Sequence, residues 1–547
     1  MHRKLYKTLK LRLILKDYLL LLATEAVSIK DFSFIRFKKE FNFGLIFELI
    51  LVGFSIYIIV SLLGLFYDSV LYPFQLEYRE GAFISMVKGL ENGMLPYRAN
   101  NPESFYMYGP VFPILAYLLN FFTHDYLLSG RLVGLLSILF SCALLVIYLK
   151  RQKVNYPLIT SSLAYFLFNS FHTAKFAFPS SLMVLCLGAM AIIAIQSNFS
   201  LVGLLLATFV ACLSFFNKQY GVLGLVGVYL SHLIYHQFSM KSILHCTLGI
   251  VLFVGLVYLA VYQIFPYYKL QCLDSFSCSE QYMDKNYVVE QIQLVFSNDI
   301  VFSALLIALI IISINLITEL FGANSIKSNA FISIKPYLVT PFLPQAIVGI
   351  LVFYYWLGEN RGSFPGNYLY HLTLFPILCF VIPYFSKRIK FYRVYLLISC
   401  FLYYHLALSV NKEIGDYDQY FSSNTKMVAD IDSVFRTYTK VYASPDVVYQ
   451  AHKYGHSVLN NGQTEYAYEI LNCREKPNLN QAKESAIQFS DSVNRLVAMK
   501  DFTFVFFSPE YGGNSILNKD TLNHYYEVQA TFQGLFMSKP LLLYRRK

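Results

Sequence analysis

The sequence predicts a mainly α-helical, polytopic membrane bundle of about eleven to thirteen transmembrane helices, with a small α/β or α+β domain at its C-terminal end. Three observations predict this. Of the 547 residues, 56% are hydrophobic and only 14% charged, with a mean hydropathy of +0.48, whereas soluble domains carry roughly 25% charged residues. Apolar runs near the ~17–25 residues needed to cross a bilayer recur from Phe43 to Ser409. From residue 411 onward the composition turns polar, and short alternating runs replace the long apolar ones.

The first 42 residues hold ten Lys or Arg against four Asp or Glu, which keeps them in the cytoplasm by the positive-inside rule. Their apolar run, Tyr18 to Ala23, is too short for a signal peptide. Phe43 to Phe66 is the first span, and it delivers residues 67–129 to the outside as the first outer loop. Within that loop Tyr108 to Phe122 is apolar but short and carries Pro110 and Pro113. It reads as a helix lying on the outer membrane surface or dipping in partway, because lipid cannot replace the donors that proline lacks. Gly130 to Leu149 then runs inward and sets the basic cluster Lys150-Arg151-Gln152-Lys153 in the cytoplasm.

The later spans are Tyr156–His172, Phe178–Ile195, Ser200–Phe216, Tyr220–His236, Ile243–Phe265, Ile300–Leu320, Tyr337–Trp356, Tyr368–Ser386 and Val394–Ser409. This register puts each basic cluster inside and the loops rich in Asp, Glu and Tyr outside. The chain thus divides into a basic cytoplasmic segment (1–42), a membrane domain (43–410) and a soluble extracytoplasmic domain (411–547). In the last, Lys440–Ala443, Phe502–Phe507 and Leu541–Tyr544 read as strands between helical stretches. It carries no phosphate loop, metal quartet or nucleophile elbow.

The net charge of +11 belongs to the topology signal. No basic face interleaved with exposed aromatics points to nucleic acid. Of the nine cysteines, Cys142, Cys186 and Cys400 sit in apolar runs as small core residues. Cys272 and Cys278 share a polar outer loop, where a disulfide and two free thiols are both open readings. No spacing names a metal ion, and no cofactor is expected.

The chemistry gathers in the first loop, FQLEYREGAFISMVKGLENGMLPYRANNPESFYMYGPVF from Phe74 to Phe112. Glu77 and Glu80 lie three residues apart, on one face of a helix, and a carboxylate next to lipid is a functional candidate by default. Their plainer reading is pairing with Arg79 or Lys88 at a solvated membrane edge. Glycosyl transfer outside the membrane fits the set: a carboxylate takes the acceptor hydroxyl's proton, and cations stabilise the departing phosphate. Arg79, Lys175, Lys218 and Arg361 share that side, with His371 one turn below. Singly each has a structural reading, Lys218 as a snorkelling side chain and His371 as a partner to a neighbouring helix. Their common side of the membrane is what groups them.

The stretch EYREGAFISMVKGLENGMLPYRANNPESFYMYGPVFPIL resembles the first outer loop of the GT-C membrane glycosyltransferases. The nearest branch is the bacterial group related to protein O-mannosyltransferases and the lipid A aminoarabinose transferase. Glu80-Gly81, the helix to Gly93, Pro96-Tyr97, Asn101-Pro102 and the segment Tyr106 to Pro113 (with Tyr108) carry the likeness. Asn217-Lys218-Gln219 and Asn367-Tyr368 are similar to pairs that open later spans in that branch.

The resemblance implies a GT-C bundle and Glu80 as the catalytic acid or its neighbour; Glu80 is then expected to be the general base or to position the acceptor, with Glu77 as its partner. It implies a polyprenyl-phosphate sugar donor and an envelope glycan, lipid or protein acceptor at the periplasmic face of a bacterial inner membrane. Arg79, Tyr97, Tyr108, Lys218, Gln219, Arg361, Asn367 and His371 are then the substrate-binding residues. One departure stands out: Phe178-Pro179-Ser180-Ser181 occupies the place of an Arg-Pro-Asp-like sequence. Glu77 takes over part of that acid's role, or donor binding differs, or activity is impaired. Two other classes compete: a transporter or flippase, which expects internal repeats and broken helices, and a polysaccharide polymerase or ligase, which expects its large outer loop late in the chain.

Overall fold

The computed structural model describes residues 43–76, 79–95, 97, 106, 108–174, 181–274, 366–386, 389–459, 480–508, 517–532 and 540–547. The chain divides into two units, Met1–Glu48 and Leu49–Lys547. Of the first unit, only the opening residues of the first helix are described, and all the other elements belong to the second.

Each of the nine expected spans that fall on described residues is a helix. They are α1 (Phe43–Leu71), α4 (Tyr126–Arg151), α5 (Tyr156–Ala174), α6 (Ser181–Ser197), α7 (Leu201–Asn217), α8 (Val222–Tyr235), α9 (Met240–Tyr258), α10 (Gly366–Ser386) and α11 (Ile389–Ser423). The expected spans Ile300–Leu320 and Tyr337–Trp356 lie outside the described residues. Among the described residues, Gly44–Leu71, Tyr126–Arg151 and Met240–Ile264 are long and apolar enough to cross a membrane, the last including a π-helical turn, Leu259–Ile264, that extends α9. Helices α6 to α8 are shorter apolar helices of 17, 17 and 14 residues.

Sequence chemistry sets the ends. Asp125 caps α4 by accepting from the amides of Leu127 and Leu128, and Ser200 and Ser239 cap α7 and α9 likewise. Helix α10 is apolar on every side: Leu374, Phe375 and Ile377 to Ile382 are all buried, as expected of a helix packed on all faces. It carries Pro376 and Pro383 in its interior. Helix α9 leaves Leu244, Leu248, Val251 and Val254 exposed at the edge of the bundle.

The first loop supplies two more helices, α2 (Arg79–Glu91) and α3 (Val111–Thr123). With 13 residues, α3 is about 20 Å long, short of the ~30 Å hydrocarbon core. It buries Phe112, Pro113, Ala116 and Asn120 and exposes Ile114, Leu115, Leu118, Phe121 and Phe122 as one apolar stripe. Such an outward stripe suits a lipid-facing surface.

The C-terminal region is α+β. Helix α11 runs past residue 410 without a break to Ser423, and α12 (Thr425–Thr437) follows. Strands β1 (Val441–Tyr442), β2 (Phe504–Phe507), β3 (Tyr526–Phe532) and β4 (Leu541–Arg546) form a sheet in the order β1-β2-β4-β3. The β1–β2 pair is parallel and the other two antiparallel. Alternation splits β2 between two cores. Phe504 and Phe506 pack with Ile431 and Phe435 of α12, whereas Val505 and Phe507 pack with Val493 and Val497 of α14 (Asn480–Ala498). A short helix, α13 (Val448–Lys453), follows the 3-10 turn Pro445–Val447, and α15 (Lys519–Tyr525) precedes β3.

Candidate functional site

The first loop is built round one guanidinium. Arg131, near the start of α4, is fully buried, as is Glu80 in the first turn of α2. Arg131 Nε donates to Glu80 Oε1 at 3.0 Å and Nη2 to Oε2 at 3.0 Å. Nη1 donates to the carbonyls of Ser69 at 3.0 Å and Tyr72 at 2.6 Å, and Nη2 to that of Phe74 at 2.7 Å. These five bonds match the five N–H donors of an arginine. The Ser69 bond also satisfies a carbonyl orphaned at the C-terminus of α1. Glu80 Oε2 accepts the Leu76 amide as well, at 2.6 Å. Ser69, Tyr72, Phe74 and Glu80 therefore surround the arginine, and both oxygens of Glu80 are engaged. Tyr72, half-buried beside it, has its hydroxyl pushed up to about 12 by burial, against the pull of Arg131.

The opposite flank of α2 faces an aromatic cluster. Ala82 and Met86 pack there with Tyr97, Tyr106, Tyr108, Phe216, Phe265, Tyr268 and Cys272. Tyr97 donates its hydroxyl to the Tyr108 carbonyl and accepts the Tyr267 amide on its own carbonyl at 3.0 Å. These bonds hold Tyr97 at φ +56°, a conformation uncommon for a bulky residue. Burial drives the Tyr97 and Tyr106 hydroxyls well above the usual tyrosine range, so both stay protonated.

Lys218, which ends α7, is 4% exposed and sets its ammonium 4.9 Å from the centre of the Tyr108 ring, a cation–π distance. Gln219 donates to the Cys272 carbonyl, and the Gln271 side chain accepts the Tyr106 amide at 3.2 Å. Gly109 makes this crossing possible. Its amide bonds the Asn217 carbonyl at 3.1 Å, and a Cβ there would fall 1.6 Å from the Phe216 carbonyl oxygen.

The structure thus brings Tyr97, Tyr108, Lys218 and Gln219 together and sets Glu80 on the same helix as that cluster's floor. Arg79 opens α2, and Asn367 and His371 lie in α10. Glu77, Lys175, Arg361, Cys278 and the stretch Phe178 to Ser180 lie outside the described residues. The Cys272 thiol is buried and faces the carbonyls of Tyr106 and Tyr108 at 3.5 Å. Sequence reasoning missed Arg131, Tyr268 and Gln271. For Arg131 a signal existed: it is a lone charge in an otherwise apolar run, a position that demands a partner.

A second missed feature is the seat of the C-terminal region. Gln75 donates to the Pro445 carbonyl at 2.9 Å and accepts the Tyr449 amide at 2.7 Å. Gln450 donates to the Pro73 carbonyl at 3.2 Å, and the Tyr449 hydroxyl to Asp125 at 2.8 Å. Ser85 and the ring of His452 meet at 3.2 Å. Burial, helped by the charge of Lys88, pulls His452 down to about 4.

No protein-family profile matches the chain, and no curated protein matches it by sequence. Solved structures do. One is ArnT from Cupriavidus metallidurans bound to undecaprenyl phosphate, 12% identical with a TM-score of 0.52, covering 90% of this chain and 98% of that one. The same protein in its apo state is 11% identical with a TM-score of 0.50, covering 90% and 97%. ArnT is a lipid A aminoarabinose transferase of the GT-C superfamily. At this identity the likeness speaks for architecture alone: over nine-tenths of its length the chain shares the fold of these ArnT structures, and with its apolar helices it is an integral membrane protein.

Proposed function

We propose that the protein is a membrane glycosyltransferase that moves a sugar from a polyprenyl-phosphate donor to a cell-envelope glycan, lipid or protein at the outer face of a bacterial inner membrane. The observation that carries this reading is the shared fold with a transferase crystallised with undecaprenyl phosphate. In the reaction, the acceptor oxygen bonds to the anomeric carbon as the carbon–oxygen bond to phosphate breaks, with inversion. A carboxylate takes the acceptor's proton, and polyprenyl phosphate departs with the bonding electrons.

The side chains divide these tasks. Glu80 has both oxygens committed to Arg131 and the Leu76 amide, so its role is to hold the loop. The proton then falls to Glu77, three positions earlier, between Leu76 and the start of α2. Lys218 supports the developing phosphate charge, assisted by Arg79 and Arg361, with Asn367 and His371 on α10 as further contacts. The buried Tyr97 and Tyr108 hold Lys218 and its neighbours in place. Mass spectrometry of envelope glycans and lipids from cells with and without the protein tests the reading. Loss of a sugar-sized increment supports it, and identical profiles count against it. Glu77→Gln is expected to remain folded and lower transfer by about 10²-fold or more, the scale of a general base.

A further inference from the structure

The contacts between the C-terminal region and the first loop fall at particular places. Gln75 lies between Phe74, whose carbonyl binds Arg131, and Leu76, whose amide binds Glu80. Its side-chain amide is used at both ends, by the Pro445 carbonyl and the Tyr449 amide. Gly81, next to Glu80, approaches the same turn so closely that a Cβ would sit 2.8 Å from the Pro445 oxygen and 2.9 Å from a Val448 methyl. Tyr449 packs with Phe83 and Val87 of α2 and reaches across to Asp125, the cap of α4. Residues 445 to 452 thus touch the turn, the helix that carries Glu80 and the end of the helix that carries Arg131. None of these contacts involves the cluster around Lys218.

We propose that Pro445–Lys453 is a positioning element of the first-loop site, holding the turn Pro73–Leu76 and helix α2 in the one arrangement in which Ala82 and Met86 floor the Lys218 cluster that takes the donor's lipid phosphate. Gln75 and Tyr449 are its positioning residues. They act on the substrate only through the turn and α2. The inference rests on the proposed transferase function, since it names what the turn is shaped for. Two arrangements are at stake: the turn seated on the C-terminal segment, and the turn unseated. A ligand that prefers the seated turn must in return stabilise the seat.

The test uses the full chain in nanodiscs, with undecaprenyl phosphate as the probe. Tyr449→Phe keeps the ring in its core and removes the bond to Asp125, and Gln75→Ala removes both amide bonds. Hydrogen exchange of residues 79–91 is followed together with affinity for the probe. In both variants exchange is expected to quicken at least tenfold while α5 and α8 stay unchanged. Affinity is expected to fall at least fivefold, and saturating probe to restore slow exchange. A purely structural role would lower the unfolding temperature without that restoration. Unchanged exchange, or quicker exchange with wild-type affinity, overturns the inference while leaving the functional reading in place. Absence of probe binding in the wild type overturns both.

Discussion

At the residue scale, Glu80 and Arg131 form a buried pair, and such pairs are costly to break from one side. Removing one partner leaves a buried charge and costs about 3–5 kcal/mol. Glu80→Leu and Arg131→Met are each expected to lose stability on that scale, read as a lower unfolding temperature in detergent. The double variant is expected to recover part of the loss but not all, because the carbonyls of Ser69, Tyr72 and Phe74 also lose their donor. Glu80→Gln should likewise destabilise the protein, which sets it apart from Glu77→Gln. Sequence made Glu80 conspicuous as an acid beside an apolar span. It could not show that both oxygens were taken, because the partner lies 51 residues away and pairing across helices leaves no local pattern. Tyr97, Tyr108 and Lys218 were visible one by one, and their meeting depends on Gly109, whose neighbour is a backbone carbonyl more than a hundred positions away. Gly109→Ala is expected to cost roughly 3 kcal/mol, the upper part of the range for overpacking, since backbone at Phe216 cannot step aside as a side chain can.

At the element scale, apolar periodicity located α1 and α4 to α11, although α11 runs fourteen residues beyond the expected end at Ser409 because its last turns are polar, and alternation located β1, β2 and β4. Strand β3 was passed over although Tyr526, Val528 and Phe532 are spaced by twos and fours. Its mostly exposed side chains and a bulge between Val528 and Ala530 weaken the pattern. Helix α13 was missed for another reason: six residues are too few to show a period. That short helix carries a pH dependence. His452, held down to about 4 by burial and Lys88, stays neutral in the folded protein, whereas the unfolded chain protonates at about 6.5. The unfolded state therefore binds more protons between these values, and stability falls as pH drops from about 6.5 towards 4. The loss reaches at most about 3 kcal/mol at the acid end. Thermal unfolding from pH 7 to 5 should show it, and His452→Gln should flatten the slope.

At the scale of the whole molecule, composition and the placement of basic loops led directly to a helical membrane bundle, because lipid admits few alternatives. The same reasoning set a boundary at residue 410, but composition carries no sign of how the two sides of it meet. Phe74 of the first loop enters the core formed by α12, β2 and β4, and Tyr449 of α13 enters that formed by α2, α3 and α4. Each region lends a side chain to the other. Removal of residues 425–547 is thus expected to expose Tyr72, Phe74 and the underside of α2, and to render the first loop sensitive to protease in membranes where the full chain resists.

The bond between Gln75 and Tyr449 spans 374 positions, and this has a consequence in time. At a synthesis rate of ~5–20 residues per second, Gln75 leaves the ribosome about 20–75 s before Tyr449 exists. During that interval the first loop has its anchors on α1 and α4 and, once they are made, at Asn217, Tyr267 and Gln271, but no seat beneath the turn. The turn between the first and second helices is therefore completed by residues made in the last quarter of the chain, long after the turn itself.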